Sequence, residues 1–244
     1  MSDSAGTPWA GRRFEHGAAS DDDGSAPAAL TTALEAFRAG EVAESRVVDA
    51  VRGSRLLIPL VARHGGAAPG ARSAELSIVT VAGPDGRVVM PVFSSVETMR
   101  RWKPLARPVP MDAVRVALAA ASEGTELVVL DAASVSEFVI RRPALWAIAQ
   151  SQPWTPSYLD DDIQAEFRAS AGSEPAVASV SLTAGDPEAR LAGPELEVVL
   201  AILPGLSAAD VRALTGRLRT RWAESQVIAA RVDSLVVRLV TDGT

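Results

Sequence analysis

The sequence has no cysteine, a single lysine (Lys103) and two histidines. Without cysteine, the chain cannot form disulfides, thiolate nucleophiles or cysteine-ligated metal sites. His16 and His64 stand in no H-E-x-x-H motif, and the chain has no G-x-S-x-G nucleophile elbow. The glycines at positions 65–70 lack the spacing of a phosphate-binding loop. We therefore expect no cofactor and no metal, and the sequence favours a non-catalytic protein while leaving enzymatic activity open.

Long apolar runs are missing as well. The run at residues 55–62 has the length of a strand and falls far below the roughly 18 apolar residues of a membrane helix. The first stretch of the chain contains no apolar core like that of a signal peptide. We therefore predict a cytoplasmic protein that does not associate with membranes.

The chain has fewer basic than acidic residues. The chain has 24 basic residues against 30 acidic ones, which gives a net charge of -6. This balance is the opposite of the basic footprint of nucleic-acid-binding proteins, so we do not expect a nucleic-acid partner. All the basic residues except Lys103 are arginines. Together with abundant alanine, valine and glycine, this bias favours a GC-rich bacterial genome over phosphate recognition.

Composition and hydrophobic periodicity divide the chain into four segments. Residues 1–27 are predicted to be a disordered arm, because they are rich in small and acidic residues and lack periodic apolar positions. Residues 28–151 are predicted to form an N-terminal domain and residues 169–244 a smaller C-terminal domain. Residues 152–168, rich in proline and aspartate, are interpreted as the linker between them.

The element pattern predicts an α+β fold with two α/β-type domains. In the N-terminal domain, a hairpin combined with helical crossovers indicates a mixed sheet with flanking helices, and the proline-rich residues 104–110 are typical of a loop. In the C-terminal domain, a helix capped by Ser207 lies between two pairs of strands, which makes a ββαββ unit. These strands are predicted at residues 176–183, 195–203, 227–232 and 234–240.

The most informative segment is VVMPVFSSVETMRRW, which begins at Val88 and ends at Trp102. It predicts a buried strand, a turn and a short helix. Ser94 or Ser95 can cap this helix, and Glu97 complements the positive end of the helix dipole. Such a boundary occurs in many folds, so it predicts local structure and not an activity.

The amino-acid sequence of that segment is similar to a sequence found in a known family. PVFSSVETMRRW resembles the PVFTS-x-E-x-L-x-x-W core of the SseB-type (enhanced serine sensitivity) N-terminal domain. The strand at Val128–Asp131 and the helix start at Arg142–Trp146 also resemble that domain, so the resemblance covers residues 30–155. The family name records a phenotype, and the resemblance implies no catalytic residues. The C-terminal half resembles the family's second domain only in position and element order.

Several residues are candidates for binding. Ser94, Ser95 and Glu97 at a helix N-terminus could bind an anion or an amino acid, because free backbone amides there attract carboxylates. Serine is the amino acid that the family name suggests. Trp154 in the proline-rich segment could lie at the domain junction or on a partner surface. Arg217 and Arg221, on the helix that also carries Arg212 and Arg219, could meet an acidic partner.

Three hypotheses about function follow. The first is a non-catalytic regulatory module that binds an unidentified protein. The second is a small-molecule sensor, and the third is RNA association through the arginine helix, which would depend steeply on salt. A homodimer formed through an exposed edge strand also remains open, although no residue identifies that strand.

Overall fold

The computed structural model describes residues 22–63 and 75–241. It confirms an α+β fold. The helices of the N-terminal part are α1 (Ala28–Arg38), α2 (Glu44–Arg52), α3 (Val96–Trp102), α4 (Ala113–Ser122) and α5 (Arg142–Ala149). Its strands are β1 (Arg55–Arg63), β2 (Glu75–Ile78), β3 (Val81–Ala82), β4 (Val88–Val92), β5 (Arg107–Asp112), β6 (Val128–Leu130) and β7 (Phe138–Ile140).

The strands of this part form two small sheets. One has the order β2-β1-β5 and is antiparallel. The other has the order β3-β4-β6-β7, and because β4 and β6 are parallel while the other neighbours are antiparallel, it is the mixed sheet that the sequence predicts. Leu30 and Leu34 of α1 lie one turn apart and are buried against this core, as the helical spacing requires.

Residues 104–110, predicted to be a loop, contain most of β5. Pro108 and Pro110 face Pro59 and Leu57 of β1 across the antiparallel ladder. Proline cannot donate a backbone hydrogen bond, and it is tolerated here because β5 is the edge of its sheet. The loop prediction was wrong because it weighed the prolines without the edge position.

The C-terminal part begins earlier than the sequence suggests. Its elements are a 3-10 helix (Ser157–Leu159), α6 (Asp161–Ala171), β8 (Val177–Ala184), β9 (Leu196–Ile202), α7 (Ala208–Glu224), α8 (Gln226–Arg231) and β10 (Leu235–Thr241). Residues 157–168, interpreted as linker, therefore fold into helices. Asp160 caps α6, and Ile163 and Phe167 are fully buried in the C-terminal core.

The ββαββ order predicted for the C-terminal domain is wrong at one element. Residues 227–232, predicted to be a strand, lie largely in α8. The side chain of Ser225 accepts a hydrogen bond from the amide of Ile228 and caps this helix, and Ile228 is buried against the core. Val227 and Ile228 have a high intrinsic propensity for strands. The cap by Ser225 and the burial of Ile228 nevertheless stabilise a helix here. The resulting sheet has three strands in the order β10-β9-β8.

The described end of the predicted arm is packed against the N-terminal part. The guanidinium of Arg55 donates to the carboxylate of Asp22 at 2.6 Å and to the carbonyl of Ser25 at 2.7 Å. The carbonyl of Gly24 accepts from the amide of Val96 at 2.9 Å. Residues 1–21, which make up the rest of that arm, lie outside the described residues.

A loop between β8 and β9 joins the two parts of the molecule. Ala189 and Leu191 of this loop are buried among residues of the N-terminal part. The carbonyl of Ala189 accepts from the amide of Val139 in β7 at 2.7 Å. The N-terminal and C-terminal cores are therefore connected by a packed contact as well as by the chain. None of the helices within residues 22–63 and 75–241 has the length and apolar character needed to cross a membrane.

Candidate functional site

A cavity of 610 Å³ lies where three elements of the N-terminal part meet. One wall is α1, with Leu34 and Arg38. The second is the start of α3, with Ser94 and Ser95. The third is the turn between β6 and β7, which contributes Asp131, Val135 and Ser136. The remaining lining residues are Ala26, Thr31, Glu35 and Thr98. This volume is within the range of about 300–1,000 Å³ that is usual for small-molecule sites.

Asp131 is the centre of the polar wall. Its carboxylate accepts hydrogen bonds from the amide of Ser94 at 2.8 Å and from the hydroxyl of Ser94 at 2.7 Å. The hydroxyls of Thr98 and Ser136 donate to the same carboxylate at 2.9 and 3.0 Å. Asp131 is 1% exposed and forms no salt bridge with a described residue. Neutral donors therefore hold this buried charge, which is costly to bury without partners.

The local backbone explains why an aspartate is there. Residue 131 follows β6 directly and has φ of +50°, a left-handed conformation in which aspartate is enriched among non-glycine residues. Its own amide donates to the carbonyl of Val92 at 2.8 Å, which ties it to the end of β4. The parallel pairing of β4 and β6 brings the Ser94 turn beside Asp131. Topology thus places the hydroxyls and the carboxylate together.

The structure brings together only part of the predicted site at α3. The hydroxyl of Ser95 accepts from the amide of Thr98 at 3.1 Å, so Ser95 is the cap of α3. The backbone amides of Ser94 and Val96 donate within the chain, to Asp131 and to Gly24. With the amide of Thr98, three amides around the start of this helix therefore already have acceptors within the chain. Glu97 is exposed, pairs with Arg101 on the same helix and does not line the cavity.

Arg38 of α1 brings a positive charge to the cavity lining. Its two terminal nitrogens donate to the carbonyls of Glu137 and Glu188, while its Nε is buried without a hydrogen-bond partner among the described residues. Desolvation by burial, followed by the nearby charge of Arg190, lowers the pKa of Arg38 from its ordinary value. The nearby carboxylate of Glu35 is exposed at the rim. The cavity therefore carries charge of both signs.

The other predicted binding residues lie elsewhere and are engaged within the chain. Trp154 packs against the N-terminal core and lines a separate groove of 470 Å³ beside Trp146 and Arg231. Arg217 donates to the carboxylate of Glu174 at 2.7 Å, and Arg221 forms a salt bridge with the same residue at 2.8 Å. The hydrogen bond from Arg217 lowers the pKa of Glu174. The structure does not bring Trp154 or these arginines to the cavity.

A second polar cluster, at the junction of the two parts, was not predicted. Arg141, 6% exposed, donates to the carboxylate of Asp186 at 2.7 Å and forms a salt bridge with Asp233 at 3.2 Å. Arg87 also binds Asp233, at 2.9 Å. These partners are between 45 and 146 residues apart in sequence, so no local pattern could have found them.

Two glutamates beside this cluster have perturbed acidity. Burial, followed by repulsion from Glu195, raises the pKa of Glu44 to about 7. Burial also raises the pKa of Glu195, although its carboxylate accepts from the hydroxyl of Ser157 at 2.7 Å. Burial and these two carboxylates raise the pKa of Tyr158 to about 12. Within residues 22–63 and 75–241, no three His, Asp or Glu side chains lie together in a way that could hold a metal ion.

Comparison with known proteins gives one match. Residues 30–147 match the family model described as SseB protein N-terminal domain. This range contains most of α1, all of α3, Asp131 and Ser136, and therefore nearly the whole cavity lining. Neither the curated proteins nor the solved structures include a match to the chain.

Proposed function

Because the chain belongs to the SseB family, we propose that it is a non-catalytic regulatory module that binds a small polar molecule in the Asp131 cavity. The observation that carries this proposal is the grouping of Asp131 with three hydroxyl side chains on one wall of an open 610 Å³ cavity. The lack of cysteine supports an intracellular site of action, and we propose the cytoplasm.

The hydrogen bonds favour binding over catalysis. The hydroxyls of Ser94 and Ser136 donate to Asp131, so they can only accept hydrogen bonds from a ligand. Asp131 accepts four hydrogen bonds, which leaves it poorly placed to act as a general base. A hydroxyl that is to attack a substrate needs a free base beside it, and no histidine occurs among the described residues.

The charges of the cavity favour a zwitterion. An ammonium group would donate to the hydroxyl oxygens of the Asp131 wall and complement its buried negative charge. A carboxylate would be attracted to the guanidinium of Arg38, which also lines the cavity. An α-amino acid carries both groups a short distance apart, so amino acids are the ligand class that we propose.

Thermal shift measurements test this proposal. We expect L-serine, glycine, L-aspartate or L-lysine at millimolar concentration to raise the melting temperature, by about 2–4 °C for each kcal/mol of binding free energy in a chain of this size. The Thr31→Trp variant places a large side chain on the cavity lining and should abolish the shift.

The matched control is Thr32→Trp on the same helix. Thr32 is also exposed and does not line the cavity, so this variant should keep the shift. Circular dichroism would show that both variants are folded. A shift that survives in Thr31→Trp, or no shift with any of the four amino acids, would contradict the cavity as the binding site.

Protein binding is a second candidate, favoured by one observation. The indole of Trp146 is 45% exposed beside the groove that also contains Trp154, and the Arg142 guanidinium lies 5.0 Å from the Trp146 ring. Exposed tryptophans with a neighbouring arginine are typical of protein interfaces. Affinity capture with the wild type and with Trp146→Ala, each with nuclease treatment, tests it. A partner retained by both proteins would exclude the groove, and a partner lost with nuclease would favour RNA.

A further inference from the structure

Four of the sheet edges of this fold are protected, each in a different way. β3 has only two residues, and β5 carries Pro108 and Pro110. The edge of β7 is covered, because the amide of Val139 donates to Ala189. β8 has a register irregularity between residues 177 and 179. Short strands, prolines, coverage and bulges are the usual means of preventing edge pairing.

β10 has none of these protections. It pairs with β9 in parallel from Leu235 to Thr241 without a break, and no other strand within the described residues pairs with it. It has no proline and no glycine. Arg238 is its one charged residue, and the salt bridge to Glu197 at 2.9 Å neutralises that charge. This strand is therefore a regular, nearly uncharged edge.

The strand also exposes apolar side chains on both faces. Val236 is 42% exposed on the face away from the helices, and Leu239 is 37% exposed on the face that carries the C-terminal core. Leu239 faces Leu200 of β9, which is fully buried. Its exposure comes from the missing neighbour on the outer side of β10. A further strand there would cover Leu239 and Val236 together.

We propose that β10 pairs antiparallel with β10 of a second copy of this chain, which joins the two three-stranded sheets into one sheet of six strands. A two-fold axis perpendicular to the sheet keeps all the helices on one face. If the axis passes at Val237, Leu235 lies opposite Leu239 of the partner subunit, and Val236 lies opposite Arg238 of the partner subunit. This register extends the apolar stripe of the core across the axis and keeps the two arginines from facing each other.

A second copy fits this edge because β10 is complementary to itself. The occupant must be a strand with apolar residues on the helix side and little charge, and β10 alternates Leu235, Val237 and Leu239 on that side. An acidic segment would suit the edge less well, because Glu197 already pairs with Arg238. The proposal is independent of the proposed ligand site, which lies in the N-terminal part.

The absence of cysteine allows a direct test with single-cysteine variants of the full chain. In the proposed register, the two copies of residue 237 face each other with Cβ atoms about 4.5–5.5 Å apart. A disulfide needs about 3.5–4.5 Å, which a small adjustment of the strands provides. We expect mild oxidation to convert the Val237→Cys variant to a covalent dimer. The matched control is Thr183→Cys on β8, the other edge of the same sheet, which should remain uncrosslinked.

The oligomeric state gives the second readout. Light scattering should give twice the 25.4 kDa of one chain for the wild type. The double variant Val236→Lys, Leu239→Lys should dissociate at least tenfold more readily, because it places charges on both faces of the edge. A wild type that is monomeric at all concentrations up to hundreds of micromolar would overturn the proposal. A dimer that is crosslinked through Thr183→Cys and not through Val237→Cys would overturn it as well.

Discussion

The molecule has two buried polar clusters, one in the N-terminal part and one at the junction. They differ in the groups that compensate for the burial of their carboxylates. At the junction, the carboxylates of Asp186 and Asp233 are paired with the guanidinium groups of Arg141 and Arg87. At the cavity, Asp131 has no such cation and is held by hydroxyls and an amide. The first cluster is enclosed and the second opens into 610 Å³ of space.

This difference indicates different roles. A carboxylate paired with a buried arginine has no free charge to offer, so the junction cluster fixes the two parts of the molecule to each other. A carboxylate held by neutral donors has no cation beside it, so it can attract a cationic group of a ligand in the cavity. The junction cluster should therefore contribute mainly to stability, whereas the Asp131 cluster should contribute to both stability and binding.

The largest effect is expected from Arg141→Met. This change leaves Asp186 and Asp233 buried with less compensation, and removing one partner of a buried ion pair costs about 3–5 kcal/mol. Urea denaturation would measure the loss in the free energy of unfolding. Arg46→Met, at an exposed arginine, is the control and should change it by less than about 0.5 kcal/mol. A loss of less than about 1 kcal/mol for Arg141→Met would contradict the claim that this ion-pair cluster stabilises the contact between the two parts of the molecule.

Asp131→Asn should cost less, about 2 kcal/mol. Asparagine tolerates the positive φ at this position, so the backbone is kept while the charged acceptor is lost. The same denaturation experiment measures the change, with Asp49→Asn at an exposed carboxylate as the control. The variant should also lose the thermal shift caused by amino acids. If Asp131→Asn is as destabilising as Arg141→Met and leaves ligand binding intact, the distinction between the clusters fails.

Glu44 should make the stability of the folded protein depend on pH. Its pKa is raised from 4.5 to about 7, so the folded protein binds this proton more tightly than the unfolded chain does. The contribution of Glu44 is fully present below pH 4.5 and is lost as the pH rises to 7. The difference is at most about 3 kcal/mol, and about 1–2 kcal/mol is expected because Glu44 is partly exposed to solvent.

Denaturation of the wild type and Glu44→Gln at several pH values tests this. The stability of the variant relative to the wild type should rise between pH 4.5 and 7. Glu41→Gln changes an exposed residue before the same helix. The pH dependence of its free energy of unfolding should be the same as that of the wild type. A constant difference between Glu44→Gln and the wild type over this range would show that Glu44 does not titrate there.

Ser95→Ala should give the smallest effect. The change removes the cap of α3 and should cost about 1 kcal/mol. Because Ser95 does not touch Asp131, the thermal shift caused by amino acids should be reduced less than in Asp131→Asn. Ser122→Ala, at an exposed hydroxyl in α4, provides the reference for both measurements. Complete loss of binding in Ser95→Ala alone would move the site from Asp131 to the start of α3.

Local signals were enough to predict part of this molecule. The β4 strand, a cap at Ser94 or Ser95 and the start of α3 follow from residues adjacent in sequence. The structure has all three and assigns the cap to Ser95. The capping box of α7, formed by Ser207 and Asp210, was likewise visible as a three-residue spacing. In each case the interaction closes within one helical turn.

The remaining features depend on contacts between distant residues. The hydroxyl of Ser94 meets Asp131 across 37 positions, and Arg141 meets Asp186 across 45. α8 was mistaken for a strand because its six residues are rich in valine, isoleucine and alanine. In so short a segment, the spacing of apolar residues does not distinguish a helix from a strand. The contact between the Gly24 carbonyl and the amide of Val96 at the start of α3 likewise joins residues that are far apart in sequence.

The most direct test of the ligand site is a titration of ¹⁵N-labelled protein with L-serine, glycine, L-aspartate and L-lysine, followed by amide chemical shifts. If the Asp131 cavity binds the ligand, at least one amino acid should produce its largest shifts at Thr31, Ser95 and Ser136, and leave the strands of the C-terminal sheet unchanged. Shifts concentrated on another surface, or no shift with any of the four at millimolar concentration, would contradict the proposed function.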